Sequence, residues 1–212
     1  MTKLYENCQR MICIAYVNEM ADACHELRID PNEVSRAAAT KPFGYLPFTP
    51  SAGVGGHCIP VNPSYLFSTS DFPLLKHATE KMAARPAMLA DRLMRSLLAS
   101  HQGSSPPGHL PKNHKKILVV GVAFKTGQEL TTNSAGVDII RRLLEEWDAH
   151  VTYADPLVRE EALPYVPRLD HQKQWNKRSL EEFDAIAVVI KQVGLDFVIL
   201  EALEGVIVQS FG

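Results

Sequence analysis

Short apolar runs alternate with an amphipathic segment in the second half of the chain, and this alternation constrains the fold more than any other feature. The apolar runs occupy residues 117–124, 150–155, 184–190 and 205–210. Residues 134–147, between the first two runs, have the spacing of an amphipathic helix. Strands that alternate with helices form βαβ units, whose strands are parallel. The pattern therefore predicts a small α/β domain with a parallel sheet.

The start of the chain has a different, wholly helical pattern. Residues 2–28 contain no Gly or Pro and are rich in Met, Ala, Leu and Glu, which predicts one long helix. Its apolar residues fall on more than one face, as in helices that are buried between domains or in a dimer. We therefore predict a homodimer built on this helix.

Two further helices follow. Asp30 before Pro31 is a helix-start signal for a short helix that ends near residue 39. Residues 73–101 return to a helical pattern, in which we expect Pro86 to bend or break the helix.

Residues 102–115 are polar and rich in Gly, Ser and Pro, which is typical of a linker. The chain therefore divides into a helical dimerisation domain over residues 1–101, a linker over 102–115 and an α/β domain over 116–212.

Composition excludes several classes of function. The formal net charge of −2 gives no reason to expect a nucleic acid or an anionic membrane as partner, and no apolar run is long enough to span a membrane. The polar N-terminus is unlike a signal peptide. None of the four cysteines forms a C-x-x-C pair, so we expect neither a disulfide framework nor a metal site. These features predict a reduced, cytoplasmic protein.

A Pro or Gly falls at nearly every second or third position of residues 40–63. Such a segment is not expected to form a helix or a central strand, so it predicts a long shaped loop, and long ordered loops are commonly functional. Within it, Cys58 follows a Gly pair. Glycines allow close backbone approach to a ligand, so the Cys58 thiol is either a nucleophile or an inert thiol in a turn.

Three other candidates could carry chemistry. Lys3 and Asn7 share one face of the long helix, where they could hold an oxyanion together or simply face solvent. Lys125 follows the first strand, where it could meet a phosphate or be an ordinary surface lysine. Asp155 ends the second strand and could contact a ribose or form a turn with Pro156. The GxGxxG fingerprint is absent after Gly121, so this unit is a poor candidate for a dinucleotide.

Three segments, in order, resemble the UDP-glucose/GDP-mannose dehydrogenase family. They are KLYENCQRMICIAYVNE (3–19), TKPFGYLPFTPSAGVGGHCIPVNP (40–63) and ILVVGVAFKTGQELTTNSAG (117–136). The middle segment most resembles the branch that oxidises UDP-N-acetylhexosamines. The resemblance implies a long central helix that builds the dimer and a C-terminal Rossmann-like domain that binds the nucleotide sugar. In the family these follow an N-terminal domain that binds NAD.

The resemblance also implies roles for single residues. Lys3 and Asn7 match the oxyanion-stabilising pair, and Cys58 matches the nucleophile that holds the sugar aldehyde as a thiohemiacetal and then a thioester. Phe124 and Lys125 match contacts to the nucleotide sugar. The sugar-binding loop is matched by Phe48, Ser51, Gly53, Gly55 and Gly56.

Departures from the family pattern bear on activity. Asn62 stands at the catalytic position where the family usually has Asp, and a carboxamide cannot act as a base. Thr132 stands where the family has an arginine that contacts the nucleotide. The chain begins two residues before Lys3, so we expect the NAD domain to be absent and predict no cofactor for this chain.

Three functional interpretations remain open. The chain is a truncated or degenerate dehydrogenase homologue that keeps the dimer and nucleotide-sugar binding, without oxidation by NAD on its own. Alternatively, it is a repurposed enzyme, such as a cyclase or isomerase, that acts on this or another small molecule without NAD. The third interpretation is a partner subunit of a separate NAD-domain protein.

Overall fold

The structure is a computed structural model and describes residues 1–100 and 115–212. The first part contains α1 (Thr2–Glu26), α2 (Pro31–Ala39), α3 (Cys58–Phe67) and α4 (Pro73–Ser100). The second part contains β1 (Lys116–Val120), α5 (Ala135–Trp147), β2 (His150–Ala154), α6 (His171–Gln174), α7 (Lys177–Leu180), β3 (Ala185–Val188) and β4 (Ile207–Ser210), with 3-10 turns at Glu160–Ala162 and Val198–Ala202. Apart from Lys115, the predicted linker lies outside the described residues.

The four strands form one parallel sheet in the order β2-β1-β3-β4. Central β1 pairs on both sides, with Ile117 opposite Val151 on β2 and Ala185 on β3. Residues Ile117 to Val120 are fully buried, as expected for a parallel strand covered on both faces. The prediction of a parallel α/β unit is confirmed.

Helices α1 and α2 also follow the sequence prediction. Helix α1 covers nearly the whole predicted span. Helix α2 begins after Asp30, whose carboxylate accepts a hydrogen bond from the Asn32 amide at 2.9 Å. This cap satisfies one of the backbone N–H groups that a helix N-terminus leaves free.

The prediction that all of residues 40–63 form a loop is wrong in its last part. Helix α3 begins at Cys58, so Pro60 and Pro63 are both helical. Pro60 occupies the first turn, where the backbone N–H has no intrahelical partner and its loss costs nothing. Likewise, Pro86 lies inside α4 without breaking it.

The C-terminal half of α4 belongs to the core of the sheet. Leu89, Leu93 and Leu97 are fully buried in the same apolar cluster as Ile117 and Val119 of β1. Packing therefore crosses the predicted boundary near residue 101, although the sequence pattern changes there.

Candidate functional site

The glycine loop of residues 53–56 is docked onto the segment that follows β1. The Gly56 amide donates to the carbonyl of Thr132 at 2.9 Å. The Asn133 side chain donates back to the Gly56 carbonyl, also at 2.9 Å. These reciprocal bonds join the loop before Cys58 to the carboxyl edge of the sheet, where open α/β folds bind ligands.

Two glycines of the loop are needed for this docking. Gly56 has a φ of 83°, and a Cβ there would lie 2.9 Å from Cδ2 of Phe124. A Cβ on Gly55 would lie 3.1 Å from the Phe124 carbonyl oxygen and the Asn133 carbonyl oxygen. Gly53 packs more loosely, with a hypothetical Cβ at 3.3 Å from Pro86. The loop therefore lies directly on Phe124.

Buried polar side chains hold the backbone at Ser51, two residues before the glycine loop. The Ser51 amide donates to Oδ1 of Asn18 at 2.7 Å, and Nε of Arg85 donates to the Ser51 carbonyl at 2.9 Å. Arg85 also pairs with Asp22, which anchors the guanidinium. Asn18 and Arg85 were not identified from the sequence. The signal that could have found them is a polar residue among the apolar positions of a long helix, Asn18 in α1 and Arg85 in α4.

Phe48 lies apart from the docked glycines. It is half-buried and lines an apolar groove of about 440 Å³ between α1, α2 and residues 44–50. Its carbonyl accepts a hydrogen bond from the Ser35 hydroxyl at 3.4 Å. The structure thus places Phe48 against the helices.

Cys58 is exposed and is the first residue of α3. The backbone N–H groups at a helix start have no intrahelical partners and point toward anions. Asn62 follows one turn later on the same helix. The thiol and the Asn62 carboxamide therefore lie on one side of α3.

Asn7 is fully buried and reaches Asn62 across the contact between α1 and α3. Nδ2 of Asn7 donates to Oδ1 of Asn62 at 2.5 Å, and the Arg10 guanidinium donates to Oδ1 of Asn7 at 2.5 Å. These two bonds fix the orientation of the Asn7 amide. The structure therefore joins two of the predicted catalytic positions.

Lys3 is exposed on the same helix and pairs with Glu6, with 3.7 Å between Nζ and Oε2. Glu6 also pairs with Arg10, with Nε and Oε1 2.8 Å apart. An exposed pair of this kind is weakly held, so the Lys3 ammonium is free to turn toward an added anion.

Phe124 and Lys125 follow β1 at the sheet edge. The Phe124 amide donates to the Leu130 carbonyl at 2.9 Å, and the Phe124 side chain is half-buried beneath the glycine loop. The Lys125 side chain is exposed, so its ammonium can approach a bound phosphate.

The hydrogen bonds of Asp155 support its role in a turn rather than as a contact to a ribose. Its side chain is buried, and Oδ2 accepts from the amides of Val122 and Ala123 at 3.0 and 3.1 Å. Oδ1 accepts from the Leu157 amide at 3.0 Å. A carboxylate with this many backbone partners is structural, and it occupies the amides that a Rossmann turn would offer to a pyrophosphate.

Within residues 1–100 and 115–212, no three His, Cys, Asp or Glu side chains cluster as ligands for a metal ion. Of the helices in the same residues, α1 and α4 have the length of a bilayer span, and both are too polar for one.

Two family descriptions match this chain. Residues 1–81 match the central domain of the UDP-glucose/GDP-mannose dehydrogenase family, and residues 118–206 match its UDP-binding domain. The docked glycine loop belongs to the first match and Phe124 to the second.

Curated relatives agree with these matches. The chain is 34% identical to a UDP-N-acetyl-D-mannosamine dehydrogenase of Pyrococcus horikoshii over 75% of its own length and 36% of that protein. It is 32% identical to a UDP-N-acetyl-D-glucosamine 6-dehydrogenase of Pseudomonas aeruginosa, with the same shares covered. The chain thus spans about a third of the length of these relatives.

The fold also matches solved structures. A UDP-D-ManNAc dehydrogenase structure from Pyrococcus horikoshii superposes on all of this chain with a TM-score of 0.77 and 26% identity, over 47% of that protein. A UDP-glucose dehydrogenase structure from Pyrobaculum islandicum superposes equally well at 21% identity, which supports the fold alone.

Proposed function

Because this chain belongs to the UDP-glucose/GDP-mannose dehydrogenase family, we propose that it binds a UDP-linked sugar between the glycine loop and the carboxyl edge of the sheet. The observation that carries the proposal is the docking of Gly56 on Phe124 and on the Thr132 carbonyl. This contact brings a residue of the central-domain match against a residue of the UDP-binding-domain match, which supports a single site shared by the two. In this proposal the Lys125 ammonium binds the diphosphate of the ligand. The exposed Cys58, two residues after Gly56, faces the sugar.

The relatives named above act on UDP-N-acetylhexosamines by their descriptions. Together with the loop sequence TKPFGYLPFTPSAGVGGHCIPVNP, this supports an N-acetylhexosamine as the sugar. Thr132 replaces the arginine expected at its position, so the diphosphate has one cation fewer, and we expect weak, micromolar or poorer affinity, about −8 kcal/mol at best.

Calorimetric titration with UDP-N-acetylglucosamine tests the proposal. We expect one site per chain and a loss of at least about tenfold in affinity in Lys125→Ala, because a phosphate loses its cation. Lys173→Ala removes an exposed lysine whose ammonium pairs with Asp170, and it should bind like the unaltered chain. The absence of any heat or saturation with the unaltered chain would overturn the proposal.

Oxidation by NAD on this chain alone is not part of the proposed function. Asn62 offers a carboxamide where a base is needed, and Asn7 already donates to its oxygen. The turn after β1 does not fit NAD, since Asp155 occupies the Val122 and Ala123 amides. We therefore derive no step through NAD, and we expect no NADH from purified chain, UDP-N-acetylglucosamine and NAD.

The same assay distinguishes the partner-subunit interpretation. If this chain acts with a separate NAD-binding protein, mixing the two should produce NADH that neither produces alone. Such a result would assign the oxidation to the complex of the two proteins. The proposal that this chain binds the sugar nucleotide would still hold.

A second candidate is an enzyme that acts on the bound sugar without NAD. The half-buried Asn62 favours it, because a carboxamide that Asn7 holds in one orientation can bind a polar group of a substrate without transferring its proton. Nuclear magnetic resonance of UDP-sugars incubated with the chain in the absence of NAD tests this candidate. A new sugar product that disappears with Cys58→Ser or Asn62→Leu would support it.

The exposed face of α1 supports the proposed homodimer. Two apolar grooves, of about 440 and 370 Å³, lie on either side of this helix and share Ile12 and Tyr16 in their lining. Tyr5, Tyr16 and Met20 are exposed. Exposed apolar side chains beside apolar grooves are typical of a surface that a second protein covers.

A further inference from the structure

Gln192 is a buried polar residue that neither the sequence analysis nor the proposed binding contacts account for. It follows β3 and is only 1% exposed. Its Oε1 accepts from the amides of Gly127 and Val193 at 2.7 and 3.0 Å. Its Nε2 donates to the Gln128 carbonyl at 3.1 Å and to Oδ2 of Asp155 at 3.4 Å. All four hydrogen-bonding positions of the carboxamide are therefore used.

Two of these bonds go to a tight turn over residues 125–128. The Gln128 amide donates to the Lys125 carbonyl at 3.2 Å, and Gly127 has a φ of 76°. This is the geometry of a four-residue turn with a left-handed residue at its third position. The Thr126 hydroxyl adds a bond to the Lys191 carbonyl at 3.4 Å. The turn is thus fixed from the β3 side, and Lys125 is its first residue.

Another of the four bonds, from Nε2 to Oδ2 of Asp155, links the turn to that carboxylate. That carboxylate also holds the amides of Val122 and Ala123, just before Phe124. Gln192 therefore lies between the two anchors of one segment: Asp155 fixes the residues before Phe124, and the turn fixes those after Lys125. In the described residues, no other side chain donates or accepts hydrogen bonds to both Asp155 and this turn.

We infer that Gln192 is a positioning residue for nucleotide-diphosphate binding, because it holds the 125–128 turn, whose first residue is the exposed Lys125 just after β1. The inference rests on the proposed function and adds a determinant of affinity to the same site. Gln192 acts through the turn and makes no contact with the ligand.

The test uses UDP as the probe and calorimetry as the readout. Gln192→Met keeps the size of the side chain but leaves the Gly127 amide and the Gln128 carbonyl without their partner. We expect an affinity for UDP at least about tenfold weaker than that of the unaltered chain. Gln128→Ala is the matched control: it removes an exposed side chain from the same turn and keeps the backbone atoms that Gln192 binds.

A double variant separates positioning from general loss of structure. If Gln192 acts through Lys125, then Lys125→Ala with Gln192→Met should bind UDP no more weakly than Lys125→Ala alone, a non-additive result. Additive losses, or unaltered affinity in Gln192→Met, would overturn the inference while leaving UDP binding established. Absence of UDP binding by the unaltered chain would instead overturn the proposed function and this inference with it.

Hydrogen exchange supplies a measurement that does not need the ligand. The Gly127 amide should exchange faster in Gln192→Met than in the unaltered chain, with β1 amides unchanged. Should Gln192→Met fail to fold, Gln192→Asn serves, because the shorter side chain cannot reach all four partners. Equal protection of Gly127 in the unaltered chain and in the folded variant would contradict the role assigned to Gln192.

Discussion

Asn7 donates a hydrogen bond from Nδ2 to Oδ1 of Asn62, and the two atoms are 2.5 Å apart. The bond joins α1 to the first turns of α3, which also carries Cys58. Arg10 holds the other side of the Asn7 amide at 2.5 Å. The fully buried Asn7 therefore depends on Asn62 for the partner of its donor.

Replacing Asn62 tests that dependence. We expect Asn62→Leu to lower the free energy of unfolding by about 1–3 kcal/mol, because a buried amide donor loses its acceptor. Asn62→Asp should be close to neutral, since a carboxylate accepts from Nδ2 at least as well. Urea unfolding measures both, with the exposed Asn32→Leu as control. A fully stable Asn62→Leu would show that the bond contributes nothing to folding.

Gly56→Ala should disturb the site through two effects. The residue has a φ of 83°, and a Cβ there would lie 2.9 Å from the Phe124 ring. We expect a loss of about 2–4 kcal/mol in unfolding free energy and weaker UDP binding. Gly205→Ala is the control, with a φ of 73° and open space around the added methyl. Equal losses in both variants would show that the Phe124 contact has no effect.

Asp91 links α4 to α5 and should make stability depend on pH. The hydrogen bond from Arg142, aided by Trp147 and opposed by burial, holds the pKa of the Asp91 carboxyl below its usual value. A lowered folded-state pKa stabilises the protein above the unfolded pKa of about 4, and this stabilisation is lost as pH falls through the folded value. We expect Asp91→Asn to cost about 1–3 kcal/mol at neutral pH.

The difference between Asp91→Asn and the unaltered chain should begin to shrink below about pH 4, where the carboxyl of the unfolded chain becomes protonated, and should be smallest once pH has fallen through the lowered pKa of the folded state. Urea unfolding over a pH series measures it. Asp138, whose half-buried side chain pairs with Arg141, provides the control: Asp138→Asn should cost no more than about 0.5 kcal/mol. A difference that grows in acid would contradict the sign of this linkage.

Cys58 should be the first cysteine to react. It is exposed, whereas Cys8 and Cys24 are buried and Cys13 is half-buried on α1. Burial also raises the pKa of the Cys8 thiol, which lowers its reactive thiolate fraction. With limiting iodoacetamide and peptide mapping, we expect Cys58 to be labelled first.

UDP-N-acetylglucosamine should slow the labelling of Cys58 and leave that of Cys13 unchanged, if the sugar lies by the thiol. The variant Cys58→Ser should lose the fast-reacting fraction. Labelling of Cys13 ahead of Cys58 would contradict the exposure that the structure gives these side chains.

The proposed dimer should depend on Tyr16. This side chain is 62% exposed and lines both grooves on α1. We expect light scattering to give a dimer for the unaltered chain and a monomer for Tyr16→Glu, since a buried, unpaired charge is costly. Tyr165→Glu alters a tyrosine of similar exposure, 57%, in the other part of the chain and should stay dimeric. A monomeric unaltered chain would end the proposal.

Local patterns predicted most of the fold. The apolar runs and the α5 pattern are short-range signals, so all four strands of the sheet were predicted, with ends within a few residues. The beginning of α3 was missed because proline content argued against a helix, whereas Pro60 sits in the one turn that tolerates it.

The site was predicted less completely, for a physical reason. Glycines and the cysteine of one loop are visible as a motif. Gln192, Asn18 and Arg85 act through partners 33 to 65 residues away, and no local pattern encodes such pairings. The role of Asp155 could not be predicted for the same reason, because only the folded structure shows that its carboxylate accepts hydrogen bonds from backbone amides.

The burial of Leu89, Leu93 and Leu97 beneath the sheet has a consequence for protein engineering. A chimera that exchanges the α/β half between relatives at residue 101 would graft a new sheet onto a foreign helix. The crossover point that preserves native packing lies earlier, before Leu89, and it must carry Asp91 together with Arg142. Recombination within this family should therefore tolerate a junction near Pro86 better than one in the obvious sequence break.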